Sequence, residues 1–477
     1  MSDTSTDPYD LIVIGAGMAG VSAANKCAAA GWRVAIVDAL PYGGTCALRG
    51  CDPKKILRRG AEIIDSARLL AGKGIDEGDL SIDWADLMAH KRGFTDPVPQ
   101  RMEDGLTGNG VTTLHGTATF TSPDRLTVDG TPLSFRHALI ATGARPRPLD
   151  LPGSEHVIDS TDFLNLPDLP DRVLFIGGGY ISFEFAHIAA RAGSHPIIVD
   201  RGPRPLKGFD PDLVERLVDR GTKAGIELRR GTAISASGPL VRGYRETPTT
   251  EFFTDTAAIE PLDRGYRVTL TTDGDTTTVD TDLVVHGAGR VPHLADLDLD
   301  AAGVDHGERG VTVAGHLQST TNPAIYAAGD AADTAGAPLT PVAVFEGKVA
   351  ASNMLKGHTT VPDYDGVPTT VFTIPELTRL GLLEDDARDR GIDVEVHHHD
   401  TSGWFSNYRI GETTAAAKIL VDPATDTIIG AHLLGPEYAE LINILALAMT
   451  TGLTTRQLKS MTAAYPTVGS DLGSMLT

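Results

Sequence analysis

Two cysteines stand out in the segment Gly43-Gly44-Thr45-Cys46-Ala47-Leu48-Arg49-Gly50-Cys51-Asp52-Pro53-Lys54-Lys55. A metal pair is more often spaced two to four residues apart and is completed by further Cys or His ligands. A stabilising crosslink gains most when it closes a long loop, and this loop is too short to staple much. The spacing points instead to exchange chemistry, in which one sulfur attacks a substrate disulfide and the other resolves the mixed disulfide. Cys27, set among Ala23, Ala24, Ala28 and Ala29, reads as a small core residue of a helix.

The pair follows closely on an N-terminal nucleotide-binding pattern. Tyr9 to Ile14 is a β-branched run, Gly15-Ala16-Gly17-Met18-Ala19-Gly20 a glycine-rich turn, and Ala-rich spacing then continues as a helix to Gly31. Trp32 to Val37 forms the next strand and Asp38 closes it. Gly15 lets the chain turn, Gly17 lets a pyrophosphate approach the helix N-terminus, Gly20 completes the fingerprint, and Asp38 can accept from a ribose hydroxyl. A second copy starts at Arg172: Val173 to Ile176, the turn Gly177-Gly178-Gly179-Tyr180-Ile181-Ser182, then Pro196 to Val199, with Ser182 in place of the third small residue. Two such units imply two dinucleotides. After Val199, Asp200 would accept from a 2'-hydroxyl and repel a 2'-phosphate, whereas Arg201, with Arg204 and Lys207 nearby, would favour the phosphate.

The stretch Gly-Gly-Thr-Cys, four residues, Cys51, then Asp-Pro-Lys-Lys resembles the active-site helix of the flavoprotein disulfide reductases, the family of glutathione reductase, dihydrolipoamide dehydrogenase and mercuric reductase. Ala138-Leu139-Ile140-Ala141-Thr142-Gly143 resembles that family's crossover into the nicotinamide domain, and Val285 to Pro292 the return. Thr321 to Asp330 is similar to the second FAD motif, with Leu339-Thr340-Pro341-Val342-Ala343 running past the flavin ring. The resemblance implies an α/β fold: two Rossmann-like dinucleotide-binding domains plus a C-terminal α+β dimerisation domain. The implied boundaries are 1–148 and 289–360 for FAD, 149–288 for NAD(P) and 361–477 for the interface of a homodimer.

It further implies that FAD lies along Gly15, Gly17, Gly20, Asp38, Gly44, Thr45, Thr142, Gly143, Arg290, Asp330 and Ala343. The nicotinamide cofactor, NADPH by a slight margin over NADH, would lie along Gly177, Gly179, Asp200 and Arg201, with Tyr180 covering its pocket. Cys51 would sit nearer the flavin, Cys46 would be the interchange thiol, and Lys54 or Lys55 would pair with Glu184 near the flavin. A helix N-terminus beside the cysteines would lower the thiolate pKa.

One departure bears on substrate. Where most members end in His-Pro-Thr, two residues and Glu, this chain reads Tyr465-Pro466-Thr467-Val468-Gly469-Ser470-Asp471. A phenol, with an unperturbed pKa near ~10, cannot shuttle a proton at neutral pH as an imidazole does, and such help is worth about 10²–10⁴-fold. A disulfide whose halves depart readily, such as ergothioneine disulfide, does not need it. The rival enzymatic reading is reduction of mercuric or cupric ions or quinones, opposed by the lack of a cysteine from Ser470 to Thr477. A redox-sensing subunit is the reading from another class, and a switch needs no nicotinamide site. Trp404, Phe405 and Tyr408 can line a substrate mouth or a dimer seam. His397-His398-His399 cannot all face one ion, so no metal site is expected.

The 477 residues carry 63 acids against 41 bases, a net charge of -22, which argues against nucleic acid or an anionic membrane as partner. No apolar run is long enough to span a membrane, and the polar, acidic start is unlike a signal peptide. Three cysteines fit a reducing compartment, so the expected location is the cytoplasm.

Overall fold

The computed structural model describes residues 7–235 and 258–477. The chain divides into two compact units, one of Met1–Ile56, Ala89–Arg147 and Arg290–Asp365, the other of Leu57–Met88, Pro148–Gly289 and Gly366–Thr477.

The first unit is built on a seven-stranded sheet. Its centre is β1 (Tyr9–Ile14), paired in parallel with β2 (Val34–Asp38) and with Thr131–Ile140. Ile12 stands opposite both Ala35 and Ala138. Strands buried on both faces read as continuous apolar runs. Here Ile12 and Ile14 join one apolar cluster while Leu11 and Val13 join another, following the two-residue period of a strand. Helix α1 (Met18–Ala29) crosses the Thr340–Lys356 helix at backbone distance, for a Cβ on Gly347 would stand 2.3 Å from the Ala19 carbonyl oxygen. Cys27 is fully buried and burial pushes its thiol up to about 12, as a core residue should behave.

The second unit contains a four-stranded parallel sheet in the order Glu227–Arg229, His195–Val199, Arg172–Ile176, Leu283–His286. Leu57, Ala61, Trp84 and Met88 pack into its core with Phe163, Phe175 and Phe183. Those contacts explain why residues 57–88 group with this unit although the chain before and after them belongs to the other. A five-stranded antiparallel sheet from residues 369–434 carries the Tyr438–Thr451 helix on one face through Leu441, Ile442 and Leu445. His397, His398 and His399 lie on its edge strand, Glu395–Asp400, so neighbours point to opposite faces. In the next strand Lys418, 3% exposed, is paired with Asp210 at 2.8 Å and with Asp212 and Glu384. No described helix is long and apolar enough to cross a membrane.

Candidate active site

Cys46 lies in the short helix α2 (Gly44–Arg49) and Cys51 opens the long helix α3 (Cys51–Leu69). The two glycines before them have a physical task. Gly43 (φ 133°) donates its N–H to the Ala16 carbonyl at 3.1 Å, and a Cβ on Gly44 (φ 62°) would stand 2.6 Å from Gly17 Cα. The redox segment therefore begins in backbone contact with the first glycine-rich turn. Both cysteines are free thiols, Cys46 half-buried and Cys51 exposed, and they are hydrogen-bonded to each other. Thr340, the first residue of its helix, places its hydroxyl 3.7 Å from Cys51 Sγ and also hydrogen-bonds Cys46.

The structure corrects the expected direction of the thiol shift. The hydrogen bond to Cys51 raises the Cys46 pKa, burial and the Cys51 charge raise it further, and the Thr340 hydroxyl opposes them only in part. Two adjacent sulfurs cannot both ionise cheaply, so loss of one proton from the pair disfavours loss of the second. Lys54, half-buried, and Lys55, exposed, follow one turn into α3.

Around the first turn, Gly15 (φ +107°) passes so close to the neighbouring strand end that a Cβ would lie 2.3 Å from the Ala141 carbonyl oxygen. A Cβ on Gly20 would lie 2.0 Å from the Gly15 carbonyl oxygen. In front of Gly17 the nearest atom would be 3.9 Å away. That open face and the absence of any side-chain cap or acid in the first turn of α1 suit a phosphate at the helix N-terminus. Asp38 accepts from Ala16 N–H and Leu40 N–H, each at 2.8 Å, which fixes its carboxylate beside the turn. The Thr142 hydroxyl is buried with no protein partner. Asp330, in the Gly329–Ala331 turn, has its pKa raised by burial against the pull of Arg290. Ala343 lies against Gly329, 3.2 Å from where a Cβ would be, and Gly143 accepts from His293 N–H at 2.9 Å. Arg290 donates to the Ala144 carbonyl, and Thr45 is exposed on α2. An open glycine face, an orphaned buried hydroxyl and a buried carboxylate are what FAD would satisfy, so these residues fit it.

The second turn repeats the first with changes. A Cβ on Gly177 (φ +99°) would stand 2.7 Å from Ala288 Cα, and Gly179 is open to 3.6 Å. A Cβ on Gly178 would collide with Asp200 Oδ2 at 2.4 Å, so the carboxylate occupies the space over the middle of the turn; its Oδ1 accepts from Gly202 N–H at 3.2 Å. Ser182 is fully buried with an unpartnered hydroxyl, tolerated because Gly287 opposite has no side chain. Tyr180 opens the Tyr180–Arg191 helix, 45% exposed; Arg201 and Lys207 are exposed. Glu184, one turn on, is 2% exposed and accepts from Phe372 N–H at 2.8 Å.

Tyr465 is 81% exposed. Ser470 does not hold it; its hydroxyl donates to Thr467 O at 2.6 Å and accepts from Thr467 N–H at 3.2 Å, closing a local turn. Asp471 accepts from the Ser406 hydroxyl, and its pKa is raised by burial. Ser406 is buried between the exposed Phe405 and Tyr408, while Trp404 packs partly into the core below. Sequence reasoning placed Thr340 in the run past the flavin but left its contact with the cysteines, and the Ser406–Asp471 tie, unnoticed, because each joins residues far apart in the chain. Among the described residues no group of three or more His, Cys, Asp and Glu could hold a metal ion.

Known proteins resemble this chain over nearly its whole length. Residues 9–347 match the pyridine nucleotide-disulphide oxidoreductase model, and residues 367–475 match the dimerisation domain of the same family. The chain is 33% identical to a glutathione reductase of Burkholderia cepacia, covering 97% of each. It is 30% identical to a mercuric reductase of Staphylococcus aureus, covering 97% of this chain and 81% of that one. The solved Cu(II) complex of the HOCl-induced flavoprotein disulfide reductase RclA from Escherichia coli superposes with a TM-score of 0.85 at 25% identity, covering 99% of each chain. The chain therefore belongs to the pyridine nucleotide-disulphide oxidoreductases, FAD-dependent enzymes that use NAD(P)H.

Proposed function

We propose that this enzyme is an NAD(P)H:disulfide oxidoreductase of the cytoplasm that reduces a low-molecular-weight disulfide with readily departing halves, such as ergothioneine disulfide. The observation that carries the reading is the free Cys46–Cys51 pair docked on the first glycine-rich turn. Gly15, Gly17, Gly20, Asp38, Gly44, Thr45, Thr142, Gly143, Arg290, Asp330 and Ala343 would hold FAD, which, once reduced by the nicotinamide cofactor, would provide the two electrons that regenerate the dithiol. Cys46 attacks the substrate disulfide and one half leaves as a thiolate or thione. Cys51 then attacks the Cys46 sulfur of the mixed disulfide, releasing the second half and closing the Cys46–Cys51 disulfide. Lys54 or Lys55, and Glu184, are assigned as the further charged residues of the reaction.

The preference for a good leaving group rests on the C-terminal segment. Tyr465 stands in the imidazole's place, Ser470 is engaged with Thr467 and Asp471 with Ser406. The nicotinamide cofactor, assigned to Gly177, Gly179, Tyr180, Asp200 and Arg201, is NADPH before NADH. Three cations, Arg201, Arg204 and Lys207, outnumber one carboxylate that is already bound by Gly202 N–H. Residues 1–148 with 289–360, 149–288 and 361–477 are assigned as FAD, NAD(P) and interface domains of a homodimer.

Reduction of cupric or mercuric ions or of quinones is the second reading, favoured by the Cu(II) complex of the Escherichia coli neighbour. Steady-state NADPH and NADH oxidation against thione disulfides, oxidised glutathione, lipoamide, Cu(II), Hg(II) and quinones separates the two. Oxidised glutathione turned over as fast as the thione disulfide would remove the leaving-group argument. Restoring the acid with Tyr465→His and Ser470→Glu should help alkyl disulfides selectively.

A further inference from the structure

Glu346, three residues beyond Ala343 on the Thr340–Lys356 helix, is 1% exposed. Among the described residues no Lys or Arg forms an ion pair with it. Its charge is held by three neutral donors instead. Oε2 accepts from the Gly329 N–H at 2.6 Å; Oε1 accepts from the Thr334 hydroxyl at 2.8 Å and from the Tyr364 hydroxyl at 2.6 Å. The pocket is closed by Gly336, where a Cβ would meet Tyr364 Cε1 at 2.7 Å and Glu346 Oε1 at 2.9 Å. Burial, then the carboxylate itself, raises the Tyr364 pKa, so the phenol keeps its proton and donates.

A buried carboxylate without a cation is costly, and a well-packed apolar residue would cost less. What it holds explains its presence. Gly329 (φ +69°) is the pivot that presents Asp330, and its N–H is pinned by Glu346. Tyr364, the second anchor, immediately precedes the end of the first unit at Asp365.

We infer that Glu346 is a positioning residue for FAD: with Thr334 and Tyr364 as donors, it fixes the Gly329–Asp330 turn in its FAD-binding form before the cofactor arrives. The inference rests on the FAD assignment above. It is tested by titrating flavin-free protein with FAD, following flavin fluorescence, and by thermal unfolding with and without FAD, in wild type, Tyr364→Phe, Thr334→Val, Glu346→Gln and Glu346→Ala.

Tyr364→Phe removes one charge-assisted hydrogen bond and should weaken FAD binding about tenfold, while lowering the melting temperature of the flavin-free protein less than that of the FAD-bound protein. Thr334→Val should act in the same direction. Glu346→Gln keeps an acceptor for Gly329 N–H and should bind FAD more tightly than Glu346→Ala. If Glu346→Ala does not fold, the two donor variants still decide the matter. Wild-type affinity in both donor variants, or a loss of stability as large without FAD as with it, would overturn the inference. Wild-type protein that binds no FAD would instead overturn the assignment on which it stands.

Discussion

The two glycine-rich turns share a design and diverge in what presses against them. At the first, Gly20 is indispensable because the Gly15 carbonyl occupies the space of a side chain, and the redox segment is docked on Ala16 and Gly17. At the second, Ser182 fits because Gly287 makes room, and the middle of the turn is covered by Asp200 instead. Both leave the second glycine open, at Gly17 and Gly179. The open glycine is therefore what the two turns share, as the approach of a pyrophosphate to each would require. The third position is set by the local neighbour, and the neighbour decides whether the turn also serves a dithiol.

Exchanging the third positions gives the largest expected effect. Gly20→Ser would force a side chain to within 2.0 Å of a carbonyl oxygen, so the protein should lose FAD or fail to fold, read as flavin absorbance after gel filtration. Retained flavin would end the claim that the turns differ here. Next, Cys46→Ser should lower disulfide turnover by more than about 10³-fold while NADPH-dependent reduction of small electron acceptors continues. Cys51→Ser should abolish the long-wavelength charge-transfer band of the two-electron-reduced protein. A band that survives in Cys51→Ser means the sulfur roles are misassigned.

The pH response of Cys46 gives a finer test. Because Cys51 and burial raise its pKa, alkylation of Cys46 in the reduced protein should accelerate as pH rises through and beyond the ordinary thiol range. Removing the neighbour in Cys51→Ser should move that profile to lower pH. Identical profiles would show that the two sulfurs titrate independently. At the second turn, Arg201→Ala should raise the KM for NADPH up to about tenfold and leave NADH nearly unchanged, as expected for one lost phosphate contact. Equal effects would remove Arg201 from the site. Ser182→Ala should be the mildest, neutral or stabilising by about 1 kcal/mol, because it deletes a buried hydroxyl that has no partner. Chemical denaturation measures it.

The sequence disclosed whatever depends on local spacing. Gly15, Gly17, Gly20 and Asp38 lie within one strand-turn-helix-strand unit, and the structure brings them around one open face. Cys46 and Cys51 were likewise legible. The direction of the Cys46 shift was not, because it depends on which hydrogen bond the folded pair makes. Thr340 meets Cys51 across 289 residues, and Glu346 meets Gly329 and Tyr364 through a helix whose register only packing reveals. The grouping of residues 57–88 with the second unit was also hidden, since Leu57 and Trp84 carry no mark of which core they enter.

Lys418 and Asp210 form a pair that ionic strength barely touches. Counter-ions screen exposed charges that lie more than a Debye length apart but scarcely reach a 3%-exposed ammonium paired inside the fold. The chain carries a net charge of -22, whose self-repulsion weakens as salt is added. Concentrated electrolyte thus relieves the strain on the outside and leaves the inner pair intact, so brine should firm this fold rather than loosen it.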